Sequence, residues 1–175
     1  MWAKYLLIVF IFYIFALLQN SFFVNFSLLG INPNLVFILF ILLIFFEKKP
    51  TNFSNIYFAI IAGFFLDIFS SIPLGWSILI LIVIGYLIKK IKEILSEKND
   101  SYPYAYFAII FTVTFFTYSF LLNLVVYFIL KSDVFFNINL VFVFKIIYNL
   151  ILASGLFFVY KKFMVENNSR QQRLF

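Results

Sequence analysis

The chain has 175 residues, 65% hydrophobic and 11% charged, with a formal net charge of +6. Soluble domains average about 25% charged residues, so the composition excludes a soluble fold and indicates one compact integral membrane unit. Cysteine and histidine are both absent, which removes disulfides, thiolate metal sites and Cys or His nucleophiles and bases, and no cofactor or metal is expected. The high phenylalanine content has a bland reading, because lipid accepts Phe about as well as Leu and AT-rich coding favours it.

A spanning helix needs about 20 mainly apolar residues. In chain order, the apolar runs predict spans over Tyr5 to Phe23, Leu35 to Phe46, Ile56 to Ile72, Leu74 to Ile88, Pro103 to Leu130 and Ile138 to Tyr160. The first run resembles a signal sequence at its start, but its exit "LLQNSFFVNF" lacks a small-x-small site, so cleavage is not expected. The linker "NSFFVNFSLLGINP" is apolar and uncharged, and is expected to lie in the outer interface or dip inward. Asn32 and Pro33 read as the start of the second helix, with Asn as N-cap and Pro at the first helical position. That helix rises only about 18 Å against a core of about 30 Å. The third and fourth runs are also short, so their turn "SSIPLG" is expected below the outer surface, where irregular backbone must be covered by protein or line a wet cavity.

The basic residues alternate. Lys4, then Lys48 and Lys49, then Lys89, Lys90, Lys92 and Lys98, then Lys161, Lys162, Arg170 and Arg173 fall on one side. The opposite loops hold only Lys131, balanced by Asp133. Positive loops mark the cytoplasmic side. The charges therefore orient the chain in a bilayer rather than form a nucleic-acid surface. The expected fold is an all-α membrane protein of six transmembrane helices with both termini cytoplasmic. Residues 1–160 form the membrane domain and 161–175 a short basic tail, whose "ENNSRQQRLF" reads as flexible.

Two charges fall inside spans, Asp67 and Lys145. A carboxylate at mid-bilayer costs about 3 kcal/mol on insertion scales, so such groups usually face the bundle interior and have partners. Both residues lie in the outer halves of antiparallel helices. Ala59, Gly63 and Asp67 share one face at i, i+4, i+8, and Lys145, Asn149 and Ala153 share another. Aligning the faces pairs Asp67 with Lys145 and brings small residues together for close helix packing, or for a partner's helix. A second reading has Lys145 snorkelling while Asp67 faces a cavity or pairs with backbone of the "SSIPLG" turn; a proton or ion path is the third. Thr112, Ser119 and Asn123 share a face of the fifth span and are expected to stitch helices together.

"NPNL" leads into the second span, a Gly-x3-Asp lies in the third, "IPLG" opens the fourth and "GYL" closes it. Together these resemble the MreD family, rod-shape-determining inner-membrane proteins of bacteria. The resemblance is carried by Asn32, Pro33, Asn34, Gly63, Asp67, Pro73, Leu74, Gly75 and Tyr86. Asn34 stands where the family often has Asp. The resemblance implies a scaffold without catalysis in the bacterial cytoplasmic membrane. It implies an MreC-like single-span partner, and action near an MreB-like filament and a wall polymerase and transpeptidase. The alternative is the substrate-binding component of an energy-coupling-factor vitamin transporter, which has similar size and span number. An intramembrane enzyme is disfavoured because Asp67 has no second intramembrane carboxylate to work with.

Overall fold

The computed structural model of the protein describes residues 2–27, 30–47, 52–70, 72–96, 103–129 and 139–172. Six α-helices follow in order: α1 (Trp2–Leu17), α2 (Leu35–Phe46), α3 (Asn52–Ile68), α4 (Trp76–Ser96), α5 (Pro103–Ile129) and α6 (Leu140–Gln172). A π-helical turn, Leu18–Phe22, prolongs α1. By length and composition Tyr5–Phe22, Pro103–Ile129 and Leu140–Phe163 can each cross a membrane, and Leu35–Phe46 and Phe53–Ile68 are shorter apolar helices.

Boundaries differ from the sequence expectation where polar chemistry intervenes. The helix start at Asn32–Pro33 is corrected: Asn34 is the N-cap, and its side chain accepts from Phe37 N. Pro33 precedes the cap. α3 ends at Ile68 rather than Ile72, because Ser70 turns back and donates both its N–H and its hydroxyl to the Asp67 carbonyl. α4 runs through its lysines to Ser96, the helical extension that the mixed-charge stretch "KKIKEILSEKND" leads one to expect, whereas α6 runs on to Gln172, so the segment expected as a flexible tail begins as helix. Lys48, Lys49, Lys98, Lys131, Asp133 and Arg173 lie outside the described residues.

The shortest α-helix is the centre of the bundle. Nine of the 12 residues of α2 are buried. The helix packs on α1, α3, α4 and α6, and its Phe37 meets Phe111, Phe115 and Tyr118 of α5. Around it α3 packs on α1 and α4, α4 on α5, and α5 on α6. A helix apolar all round is a buried one, which explains why α2 shows no polar face. Phenylalanines fill the space between helices. Phe12, Phe37, Phe40, Phe107, Phe111, Phe115 and Phe157 are fully buried, while Leu6, Phe10, Val83 and Phe128 point outward.

The α3–α4 hairpin is closely packed. A Cβ on Gly63 would sit 2.6 Å from the Cα and N of Ile78, and one on Gly85 would overlap the Asn55 side chain. Only glycine allows this separation of the two backbones.

Candidate functional site

A helix start leaves its first N–H groups without partners inside the helix. For α2 and α4 those starts are held within the protein, and side chains from other helices meet them. At α2, Asn34 Oδ1 accepts from Phe37 N at 3.0 Å and Gln19 Oε1 accepts from Val36 N at 3.2 Å. Gln19 belongs to the π-turn, whose extra residue re-aims the end of α1. The backbone N–H of Asn34 donates to Asn149 Oδ1 at 2.7 Å, and Asn149 is fully buried. Asn149 Nδ2 in turn donates to the Lys145 carbonyl at 2.8 Å.

At α4, Gly75 is the N-cap: its carbonyl accepts from Leu79 N, and its φ of 103° lies in the region glycine adopts without strain. The capping acceptor comes from α3. Asp67 Oδ2 accepts from Gly75 N at 2.6 Å and Oδ1 from Ser77 N at 3.1 Å. Both Asp67 and Ser77 are buried. A carboxylate on two N–H donors at a helix N-terminus meets both the hydrogen-bonding need and the dipole. Tyr118 of α5 lies between the two sites, with its hydroxyl beside the side chains of Asn34 and Ser77 and its ring 4.5 Å from that of Phe37.

The Asp67–Lys145 pair is therefore a correction. Both Asp67 oxygens are engaged by backbone of the α3–α4 turn, which is the second reading of that residue. Lys145 is half-buried and has no carboxylate partner among the described residues. The facing alignment of α3 with α6 is not formed either. Gly63 packs on Ile78 of α4, Asn149 serves α2, and Ala59 and Ala153 are buried in the core. With its members used internally, the Ala59–Gly63 face is not open to a partner. On α5, Thr112 bonds the carbonyl of Ala108 and Asn123 that of Ser119, so both satisfy their own helix rather than stitch two together.

The other end of α2 is closed by Lys92 of α4. Its ammonium donates to the carbonyls of Ile44 at 3.3 Å, Phe45 at 2.8 Å and Glu47 at 3.3 Å, and lies 5.7 Å from the centroid of the Phe45 ring. A cation at a helix C-terminus complements its dipole. Burial pushes the Lys92 ammonium below the usual lysine range, opposed by the Glu47 charge. Gln19, Ser77, Lys92 and Tyr118 were not marked as site residues by the sequence. In the sequence Gln19 appears only within the exit "LLQNSFFVNF" of the first run, and Lys92 only as a loop charge.

The motif residues divide by position. Pro33 and Asn34 build the start of α2, Asp67 and Gly75 that of α4, and Gly63 lets α3 approach Ile78 of α4; Asn34 shows that an amide in place of an acid still caps. Asn32, Pro73, Leu74 and Tyr86 are exposed, Leu74 at 69% and Tyr86 at 62%. Comparison with curated proteins and with solved structures returned no match. The model of one family, rod shape-determining protein MreD, matches residues 3–166. That match spans nearly the whole chain and takes in every inward and outward motif residue; the chain belongs to the MreD family.

Proposed function

We propose that this protein is a non-catalytic membrane scaffold of the bacterial complex that builds the side wall. In this reading six helices cross the cytoplasmic membrane with both termini inside, and residues 1–160 form one membrane domain. The protein binds an MreC-like single-span partner and acts near an MreB-like filament and a wall polymerase and transpeptidase. The family match over residues 3–166 carries the proposal. Two structural features support it. The deep polar groups are spent on helix ends, so Asp67 is architectural. The exposed motif residues, Pro73 and Leu74 at the α3–α4 turn and Tyr86 on α4, remain for contact with a partner. The transporter alternative finds no support, because the matching family is a shape-determining one.

An affinity pull-down of the tagged protein at native level in mild detergent, read by mass spectrometry, tests the proposal. It predicts recovery of a single-span extracytoplasmic protein together with wall-synthesis enzymes. Recovery of paired ATPases instead would overturn it. The orientation is read separately. The chain has no cysteine, so single cysteines at positions 74 and 162 report sidedness without background. Residue 74 should react with an impermeant maleimide in intact cells and residue 162 only after lysis.

A further inference from the structure

The helices around α2 form an open ring. α1 packs on α3, α3 on α4, α4 on α5 and α5 on α6, which leaves α1 and α6 as its two ends. Between those ends a cleft of about 230 Å³ opens, floored by Leu39, Leu42 and Leu43 of α2. We infer that this seam receives one membrane-spanning helix of a partner protein, whose carboxylate pairs with Lys145.

Lys145 lies on the line of the cleft. An α-helix turns about 100° per residue, so Lys145 stands directly over Phe163 and within about 20° of Leu156, and both of these line the cleft. The contacts of α6 fix the sense of that face. Asn149 meets the start of α2, while Ser154 and Phe157 meet Tyr104 and Phe107 of α5. Lys145 is turned from Asn149 toward the cleft and away from the α5 side. Its side chain is half-buried and has no carboxylate partner among the described residues.

Three arguments choose the occupant. The first is length. Lys145 to Phe163 covers about 27 Å at the helical rise, close to a hydrocarbon core of about 30 Å. An acyl chain from one leaflet covers about half of that core, so the seam matches a spanning helix. The second is charge. An ammonium inside a span is costly and calls for a partner. A helix that carries a carboxylate meets the lysine and the apolar cleft together, whereas a phospholipid headgroup at Lys145 leaves the cleft at Leu156 to Phe163 unfilled. The third is the source of the acid. Asp67 is the only carboxylate inside a span of this chain, and its two oxygens are engaged by Gly75 N and Ser77 N. A second copy therefore has no acid to offer, and the helix belongs to a different protein.

That this helix is the one of the single-span partner rests on the scaffold reading above. The test uses the full chain in cells, with photoreactive p-benzoylphenylalanine at position 156 in the seam or at position 158 on the opposite face of α6. Position 156 should crosslink a single-span protein and position 158 should not. Lys145→Gln should lower recovery of that protein by roughly three- to thirtyfold, as for polar contacts between membrane helices, with no loss of thermal stability. Lys145→Arg should keep it, and a lysine in place of one acid in the partner's span should restore binding to Lys145→Glu. Unchanged recovery with Lys145→Gln overturns the inference. So does an equal loss with Asp133→Asn, which would put the lysine's acid in this chain. Crosslinks to the single-span protein from position 158, with lipid alone from position 156, overturn the seam and leave the scaffold reading standing. Recovery of no single-span protein by wild type sinks that reading and the seam with it.

Discussion

Replacing Asp67 by Ala removes the acceptor of two buried N–H groups, Gly75 N at 2.6 Å and Ser77 N at 3.1 Å. Hydrogen bonds to a charged group contribute about 1.5–3 kcal/mol each, which sets a gross loss of about 3–6 kcal/mol. The variant also recovers the cost of holding a carboxylate in the bilayer, up to about 3 kcal/mol at mid-depth. With that full cost recovered, the net destabilisation of Asp67→Ala is about 0–3 kcal/mol. Asp67→Asn keeps one carbonyl acceptor but turns an NH₂ toward an N–H donor, and should fall between wild type and Ala. Lys145→Met removes an ammonium with no carboxylate partner among the described residues and should be neutral or mildly stabilising. Size-exclusion thermostability in detergent measures all of these variants. A double-mutant cycle between Asp67→Ala and Lys145→Met should give a coupling below about 0.5 kcal/mol, as for independent sites. The charge exchange Asp67→Lys with Lys145→Asp should be worse than Asp67→Ala, because an ammonium would face two donors. Recovery of stability by that exchange, or a coupling above about 1 kcal/mol, would refute the capping argument and restore the ion pair.

Gly63→Ala should cost about 1–3 kcal/mol by overpacking, since its Cβ meets the Ile78 backbone at 2.6 Å. Gly155→Ala has open space around it and should be neutral or stabilising in the same thermal assay. Asn149→Leu leaves Asn34 N without its acceptor; a loss of about 1–3 kcal/mol is expected, with hydrogen exchange at the first turn of α2 rising before that of α5. Lys92→Met opens the C-terminal end of α2 and should lower the unfolding temperature. The same residue supplies a pH dependence. Its pKa is lower in the folded protein than in the unfolded chain, so the unfolded state binds more protons between the two values. Wild type should gain stability relative to Lys92→Met as pH rises through that window toward 10.5, and a gap that stays constant would contradict the burial of Lys92.

Hydropathy made the helices legible because every apolar run but the first ends at a charge or a proline. The second run, Leu35 to Phe46, coincides with α2. What hydropathy hid was rank: the shortest run is the central helix, and only its lack of any polar face signalled that. The oddity of Asp67 is also visible, and the backbone of the "SSIPLG" turn belongs to the second of its three readings. Helical periodicity favoured the wrong partner for a physical reason. A carboxylate next to a helix N-terminus can satisfy itself from backbone, and backbone donors carry no residue letter. The same blindness applied to Gln19 and Lys92, whose partners are Val36 N and the carbonyls of Ile44, Phe45 and Glu47. Phenylalanine was given no weight as composition, yet Phe37, Phe107, Phe111 and Phe157 form the seam between α2, α5 and α6. Such packing depends on which helices are neighbours, and no single-sequence pattern states that.

The most direct measurement is complementation of a rod-shaped host lacking its own copy, using Asp67→Asn expressed until its folded amount equals wild type. If Asp67 is a helix cap and partners are met elsewhere, equal folded protein should restore rods and recover the same partners. Round cells with a full complement of folded Asp67→Asn would contradict the account and make Asp67 a contact in its own right.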